Sequence, residues 1–259
     1  MPKLRPHRRK IENEVSNMFN ANKVKAQLLD WIRATVGDAT VVIGISGGKD
    51  SSVVAALCAE ALGKDKVVGV LMPDGHQHDI DKSHELVDFL GIRHYVINIQ
   101  EITEAFRKSI REAISPELSY VMRSNLGSRV RMVELYNVAA MIGNARVVTT
   151  GNASEAYIGY CTKYGDSAGD FAPLAHLLVY QVKELGRALG LPEDLVEKVP
   201  EDGLSGKTDE DNFGFSYATL DHYIETGECP DAAIKEKIDR MHRISRHKFC
   251  LAPSFVPEE

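Results

Sequence analysis

The stretch Val41-Val-Ile-Gly-Ile-Ser46-Gly-Gly-Lys-Asp50-Ser-Ser52 decides the fold, because it turns a buried strand into a helix. Residues 41–45 form a β-branched run typical of a strand buried on both faces, and residues 53–62 repeat apolar side chains at helical spacing. Gly47 and Gly48 allow tight backbone conformations between the two, and the serines around them favour a helix start. Such a turn directs unpaired N–H groups and the positive end of a helix dipole at one point, so we interpret it as a phosphate-binding loop.

Two better-known phosphate loops do not match this turn. A Walker loop ends in Gly-Lys-Ser or Gly-Lys-Thr, whereas Lys49 is followed by Asp50, and the loop lacks the Gly-x-Gly-x-x-Gly spacing of dinucleotide-binding proteins. The order Ser-Gly-Gly-x-Asp-Ser after a strand instead resembles the pyrophosphate loop of the N-type ATP pyrophosphatases. That resemblance implies that the loop binds ATP and that Asp50 ligates Mg²⁺ through its carboxylate. An ordinary glycine-rich turn between strand and helix is the alternative.

The segments around the loop alternate between strands and helices. Further predicted strands are 67–72, 94–99 and 146–150, with a helix at 81–90 and one or two helices within 12–36. This alternation predicts an α/β fold with a doubly wound, Rossmann-like parallel sheet. Ligands of such sheets bind beyond the carboxyl ends of the strands, where the phosphate loop and the turn at 73–75 both fall. Extra C-terminal helices are predicted at 179–189, 193–199, 213–224 and 231–247.

Composition excludes several classes of protein. Lys and Arg number 31 against 37 Asp and Glu, so no overall basic field attracts nucleic acid. The four cysteines are scattered without a Cys-x-x-Cys pair, which favours a reducing, cytoplasmic location over a disulfide framework. No apolar run approaches 18 residues, so we expect no membrane span. We expect one domain over residues 1–259, with 1–20 as a basic tail and helix start, and no glutaminase or nitrilase domain before Val41.

Two segments suggest further roles. The predicted helix from Ser124 to Gly143 is apolar around most of its circumference, more than one core face requires, so we expect a homodimer interface there. A helix covered entirely within its own chain is the alternative. The irregular segment 160–178 carries Lys163, Asp166 and Asp170, and a long loop of this kind is typical of a lid or binding loop.

Six separate motifs narrow the substrate, and they occur in the order and spacing of the NAD synthetase family. They are Asn125-Leu-Gly-Ser-Arg129-Val-Arg131, Thr150-Gly-Asn-Ala-Ser-Glu155, Thr162-Lys163-Tyr-Gly-Asp166 with Asp170, Lys198-Val-Pro200, Gly206-Lys-Thr208-Asp-Glu210, and His247-Lys248. The chain therefore resembles an ammonia-dependent member of that family from about residue 20 onward.

The resemblance implies a two-step ligase reaction that forms a C–N bond. The nicotinate carboxylate of deamido-NAD attacks the α-phosphate of ATP and releases pyrophosphate, and ammonia then displaces AMP to give NAD. By the same resemblance the ATP-binding residues are Gly44, Ile45, Ser46, Gly47, Gly48, Lys49, Asp50, Ser51 and Thr150. Asp50 and Glu155 would hold Mg²⁺, and the residues implied for deamido-NAD are Arg129, Lys163, Asp170, His247 and Lys248. Asp50, Lys163 and Asp170 are the implied catalytic residues, with Asp170 receiving a proton from ammonium.

Two departures from the family pattern concern the γ-phosphate of ATP. Val179 stands where the family usually has a phosphate-binding lysine, and Glu201 stands where it has Ser or Thr. Lys183 lies one helical turn after Val179 and would replace that lysine only if the helix start were shifted or its side chain reached back. These departures motivate one alternative, a nucleotide-binding regulator that has lost catalysis. Because many families share the phosphate loop, another adenylating N-type pyrophosphatase, tRNA-modifying or amidating, is the other alternative.

Overall fold

A four-stranded parallel sheet forms the centre of the computed structural model, which describes residues 19–77, 79–199 and 207–257. The strands are β1 (Thr40–Gly44), β2 (Val67–Leu71), β3 (Arg93–Val96) and β4 (Ala145–Val147). Their order is β3-β2-β1-β4, so β1 is central and its neighbours are β2 and β4. The carboxyl end of β1 therefore lies between the carboxyl ends of β2 and β4. The turn at 73–75 follows β2, and the segment from Thr150 to Glu155 follows β4.

The helices follow the strands in the predicted alternation, with several more after β4. Those before β4 are α1 (Ala21–Val36), α2 (Lys49–Leu62), α3 (Ile80–Leu90), α4 (Gln100–Ala113) and α5 (Tyr120–Ile142). Those after β4 are α6 (Ala153–Ile158), α7 (Val179–Ala188), α8 (Glu193–Val196), α9 (Asp209–Phe213), α10 (Tyr217–Thr226) and α11 (Ala232–Ser245), and short 3₁₀ turns span Lys64–Lys66 and Arg246–Lys248.

Apolar side chains of β1 alternate between two cores, one on each face of the sheet. Val41 and Ile43 belong to the core that α1, α2, α3 and α7 cover, and Val42 belongs to the core under α5. Because a strand directs successive side chains to opposite faces, an uninterrupted β-branched run fills both cores at once. This arrangement confirms the predicted α/β class with a doubly wound parallel sheet.

The C-terminal helices build a third core beside the sheet. Its buried members include Ile158 of α6, Phe213 of α9, Leu220 of α10 and Ile238 of α11. Phe213 packs against Tyr217 with ring centroids 5.2 Å apart, in an edge-to-face arrangement that favours aromatic pairs. This core places α9 and α10 next to the segment that follows β4.

Several predicted boundaries were wrong for identifiable reasons. The third and fourth strands end at Val96 and Val147 rather than at residues 99 and 150, and α8 ends at Val196 rather than at 199. The helix predicted at 213–224 begins only at Tyr217, because Phe213 is the last residue of α9, Gly214 adopts a left-handed conformation that ends it, and Ser216 then caps α10. The helix predicted from Ser124 begins at Tyr120, where the Ser119 side chain accepts a hydrogen bond from Met122 N.

Other predictions lie outside the described residues. These are the basic tail, the helix start before residue 19, Glu201, and the motif residues Pro200 and Gly206. No helix in the described part of the chain is both long and apolar enough to cross a bilayer.

All four cysteines are free thiols. Cys58 is buried in α2, whereas Cys250 is exposed just after the last 3₁₀ turn. Burial raises the pKa of the Cys58 thiol to about 12.

Candidate active site

The phosphate loop leaves β1 at Gly44 and enters α2 at Lys49. Gly47 has φ +70°, and a β-carbon there would lie 2.8 Å from the backbone nitrogen of Ser83, so both conformation and space require glycine. Gly48 is the residue before α2 and offers no side-chain cap, which leaves the first-turn amides of the helix without a capping side chain. Amides of this kind bind anions.

Serine hydroxyls fix the shape of this loop. Ser51 Oγ lies 3.1 Å from Ser46 Oγ and donates to the carbonyl of Gly48, while Ser52 Oγ donates to the same carbonyl at 2.8 Å. The Gly48 amide in turn donates to Ser46 Oγ at 3.3 Å. These bonds hold the loop in a preformed turn at the carboxyl edge of the sheet.

Asp50 and Glu155 meet at the ammonium of Lys49. Lys49 Nζ lies 2.8 Å from Asp50 Oδ2 and 3.9 Å from Glu155 Oε1. Asn152 donates from Nδ2 to Asp50 Oδ1 at 3.0 Å, and its Oδ1 accepts from Glu155 N at the start of α6. The predicted segment after β4 is therefore joined directly to the phosphate loop. Thr150 lies between β4 and Asn152 in that segment.

The charges of this cluster shift one another's pKa values. Burial disfavours the ammonium of Lys49, but the adjacent Asp50 and Glu155 carboxylates prevail and raise its pKa. Burial, followed by the charge of Asp50, raises the pKa of Glu155. Burial also raises the pKa of Asp209, whose Oδ2 accepts a hydrogen bond from the Tyr217 hydroxyl at 3.1 Å. Perturbed values of this kind are typical of functional sites.

A second group of predicted residues gathers around the loop at 160–178. Ser128 of α5 accepts a hydrogen bond from the Asp166 amide and donates to the Asp166 carboxylate, and Thr162 Oγ1 donates to Asn125 Oδ1 at 2.9 Å. Arg129 Nε donates to the Lys163 carbonyl at 3.3 Å. Two of the sequence motifs are thus in direct contact, and the first turns of α5 fix the loop.

The C-terminal residues join the same group. Lys163 Nζ donates to the carbonyl of His247 at 2.8 Å. Lys248 Nζ donates to the carbonyls of Gly159 and Cys161, each at 2.7 Å. Four of the five residues implied for deamido-NAD therefore form one connected group, although they lie far apart in sequence.

The fifth residue, Asp170, has different contacts. Its Oδ2 accepts a hydrogen bond from Val147 N at 2.7 Å, and its Oδ1 accepts one from the Tyr136 hydroxyl at 3.4 Å. Asp170 N also donates to Val147 O, so the residue is attached to the free side of β4. The carboxylate is exposed, with both oxygens accepting hydrogen bonds.

Lys183 does not take the place of the missing lysine. Helix α7 begins at Val179 as predicted, and Lys183 Nζ is 2.7 Å from Glu197 Oε2. Val179 itself is buried, with its amide donating to Ser154 Oγ. The helix start is therefore not shifted, and Lys183 makes an ion pair instead of reaching toward the loop.

Sequence reasoning assigned no role to four polar residues behind the site, although two of them lie within its quoted motifs. Asn152, Asp209, Tyr217 and Asp221 are buried, and each contacts a site residue or its supporting helix. The order Asn-Ala-Ser-Glu is a helix-capping signal that could have indicated Asn152. Asp209 lies in the motif Gly206-Lys-Thr208-Asp-Glu210, which includes it without giving it a role. The positions of Tyr217 and Asp221 depend on packing of the third core, which no local pattern reveals.

Comparisons with known proteins agree on one family. The sequence model described as NAD synthase matches residues 22–251. An NH₃-dependent NAD⁺ synthetase of Pyrococcus furiosus is 41% identical over 207 residues, which cover 80% of this chain and 78% of that protein. A solved NMN synthetase of Francisella tularensis has a TM-score of 0.84 at 36% identity, covering 91% of this chain and 98% of the other. A solved NH₃-dependent NAD synthetase of Campylobacter jejuni, in complex with nitrate, has a TM-score of 0.74 at 29% identity, covering 92% and 100%.

Proposed function

The chain belongs to the NAD synthase family, and we infer from this premise that it is a ligase that amidates deamido-NAD to NAD with ammonia and ATP. The geometry that supports this function best is the contact between the phosphate loop and the segment after β4. There the hydrogen bond from Asn152 to Asp50 brings two carboxylates to the open end of a preformed anion-binding turn. The same family membership favours an enzyme over a nucleotide-binding regulator or a tRNA-modifying protein.

We propose that the reaction proceeds through an adenylate. A nicotinate carboxylate oxygen attacks the α-phosphorus of ATP, and the bond to pyrophosphate breaks. The nitrogen of ammonia then attacks the acyl carbon, AMP leaves, and the nitrogen loses a proton. Backbone amides of residues 44–51, with Thr150, would bind the phosphates and stabilise the charge that develops on the leaving pyrophosphate.

Mg²⁺ is the metal that we propose for Asp50 and Glu155. Carboxylate oxygens are suitable donors, and Mg²⁺ commonly uses one or two of them together with substrate phosphates and water. Both side chains keep part of their surface exposed, 18% for Asp50 and 19% for Glu155, although each also contacts Lys49. When bound, the metal would neutralise phosphate charge. The described ranges contain no group of three or more His, Cys, Asp or Glu side chains that could hold a metal ion. The proposed Mg²⁺ would therefore need phosphate and water ligands besides Asp50 and Glu155.

The connected group around Arg129, Lys163, His247 and Lys248 is our proposed site for deamido-NAD. Its cationic side chains suit the phosphates of a dinucleotide. Asp170 is our proposed proton acceptor from ammonium, because its carboxylate is exposed to solvent beside β4. In that role Asp170 would exchange its bond with Tyr136 for one to ammonium.

A second candidate substrate is nicotinate mononucleotide. Of the two solved structures compared above, the NMN synthetase has the higher TM-score and identity. Amidation of the mononucleotide uses the same nicotinate carboxylate and the same adenylation. The ratio of kcat/KM for deamido-NAD to that for nicotinate mononucleotide decides between the two substrates.

We also propose a homodimer, a cytoplasmic location and a single domain that uses free ammonia. Exposed apolar side chains of α4 and α5 support the dimer, among them Phe106, Val121, Val133 and Met141. The four free thiols are consistent with a reducing compartment.

Isotope transfer tests the proposed reaction. Deamido-NAD with ¹⁸O in the nicotinate carboxylate is incubated with ATP, Mg²⁺ and ammonium, and the products are analysed by mass spectrometry. Adenylation predicts NAD, pyrophosphate and AMP that carries one ¹⁸O in its phosphate. Formation of ADP and inorganic phosphate, or of unlabelled AMP, would contradict it.

A further inference from the structure

Lys49 belongs to the phosphate loop by sequence, but its side chain is directed into the protein. Only 1% of the side chain is exposed, and it is one of the largest fully buried side chains in the described part of the chain. A lysine that contacts a nucleotide phosphate would extend from the open side of the loop. The Lys49 side chain therefore has a role other than contacting a phosphate directly.

The ammonium lies beneath the two carboxylates proposed for the metal. It is 2.8 Å from Asp50 Oδ2 and 3.9 Å from Glu155 Oε1. The ammonium also lies over the ring of Tyr217, whose centroid is 5.4 Å away and whose hydroxyl donates to Asp209. The two carboxylates remain partly exposed and the ammonium does not, so they separate it from the open site.

This arrangement supplies one positive charge where a divalent cation would bind. Two carboxylates alone attract such a cation strongly, but an ammonium in contact with both cancels part of that attraction at short range. The triphosphate of ATP adds negative charge and oxygen donors from the open side. The balance of charge then favours the metal only when the nucleotide is present.

We infer that Lys49 is a positioning residue that holds the Asp50 and Glu155 carboxylates from beneath, so that a divalent cation binds between them only together with the nucleotide's phosphates. The inference rests on the proposed assignment of these carboxylates to the metal. On this inference, binding of the metal together with ATP depends on the charge of one buried side chain, that of Lys49.

Mn²⁺ binding to the nucleotide-free protein tests this role, with electron paramagnetic resonance as the measure of free Mn²⁺. We expect Lys49→Met to bind Mn²⁺ at least tenfold more tightly than the wild-type protein. Lys49→Gln keeps a hydrogen-bond donor without the charge and is expected to show the same gain. Lys235→Met removes a lysine from a surface ion pair with Asp239 and is the matched control, with wild-type affinity expected.

Unchanged Mn²⁺ affinity in both folded Lys49 variants would overturn the inference. If neither variant folds, Mn²⁺ binding to the wild-type protein tests the inference instead. We expect micromolar Mn²⁺ binding to the wild type only when a non-hydrolysable ATP analogue is present, after subtraction of the Mn²⁺ that the same analogue binds without protein, and we expect Glu155→Gln to weaken it. The inference would be refuted if the wild-type protein bound Mn²⁺ at micromolar concentration without nucleotide and if Glu155→Gln abolished that binding. This holds whether or not the protein forms NAD. Failure to form NAD would instead refute the proposed function.

Discussion

Gly47 shows how strongly a single residue constrains the phosphate loop. Its φ of +70° and the 2.8 Å approach to the Ser83 amide leave no room for a side chain. We expect Gly47→Ala to destabilise the protein by about 1–2 kcal/mol from backbone strain and to weaken ATP binding at least tenfold, because the loop amides must move. Isothermal titration calorimetry with ATP measures the second effect.

Gly91→Ala is the control for this prediction. Gly91 also has positive φ, at +60°, but a β-carbon there would meet only the flexible end of Lys64 at 3.7 Å. The control should therefore show strain and unchanged ATP binding. Equal ATP affinity in the two variants would mean that the loop tolerates displacement.

Asp50 provides a second test at this scale. Asp50→Asn removes the charge that pairs with Lys49 and that we propose for the metal. We expect kcat/KM for ATP to fall at least 100-fold, since electrostatic stabilisation dominates phosphoryl transfer. Asp65→Asn, at an exposed position, should leave the rate unchanged. A decrease of less than tenfold in a folded Asp50→Asn protein would contradict the proposed role.

Individual loop residues were predictable because their types are tied to backbone conformation and helix capping. Gly47 illustrates this, since its positive φ follows from the glycine in a strand-to-helix turn. The direction of the Lys49 side chain was not predictable. It depends on Asp209 and Tyr217, which lie more than 150 residues later and approach only when the third core packs.

At the scale of elements, the contact between α5 and the loop at 160–178 allows a specific test. Ser128 joins the two by exchanging hydrogen bonds with Asp166. We expect Ser128→Ala to raise KM for deamido-NAD about tenfold with little change in KM for ATP, because Lys163 loses its fixed position while the phosphate loop is untouched. Steady-state kinetics with each substrate varied measures both constants.

Ser109→Ala is the matched control, because Ser109 is exposed on α4 and its hydroxyl donates only within its own helix. Both constants should stay at their wild-type values in this variant. A parallel rise of both constants in Ser128→Ala would indicate a general loss of structure instead of a local effect.

Asp221 connects three helices and makes their packing sensitive to pH. It accepts hydrogen bonds from Ser154 of α6 and from the Tyr180 amide of α7, and burial raises its pKa to about 6. The folded protein therefore binds this proton more tightly than the unfolded chain, so the associated stability is present at acid pH and is lost as pH rises through about 6. Relative to Asp221→Asn, we expect the free energy of unfolding to fall by about 3 kcal/mol between pH 3 and pH 7.

Urea unfolding at a series of pH values measures this difference. A constant offset for Asp221→Asn across the range would show that the carboxyl has the same pKa in the folded and unfolded states, and would contradict this prediction.

The order of elements was predictable from periodicity, but their ends were not. Helix α3 begins at Ile80, one residue before its predicted start, because its apolar repeat is regular. Strands β3 and β4 are shorter than predicted, since a strand extends only where a neighbour pairs with it. The ends of β3 and β4 are therefore set by the partner strand and cannot be predicted from the local sequence.

For the whole molecule, exposed apolar side chains on α5 predict the state of assembly. Met141 is 87% exposed and Val121 is 65% exposed, which argues against a helix covered entirely within its own chain. We expect the wild-type protein to sediment as a dimer and the double variant Val121→Glu with Met141→Glu to shift to monomer. Analytical ultracentrifugation over a range of concentrations measures the shift.

Ile244→Glu, at another exposed apolar position on α11, is the control and should remain a dimer. A monomeric wild type, or a double variant that remains dimeric, would exclude these two exposed positions of α5 from the interface.

The unequal burial of the four thiols also makes the protein suitable for selective labelling. Cys58 is buried, and burial raises the pKa of Cys161 to about 12. Cys229 is half-buried with its thiol donating to the Asp231 carbonyl at 3.4 Å, whereas Cys250 is exposed two residues after Lys248. A fluorophore attached at neutral pH should therefore react first at Cys250. Its emission would follow the approach of substrate to the C-terminal segment in real time, without any substitution in the natural sequence.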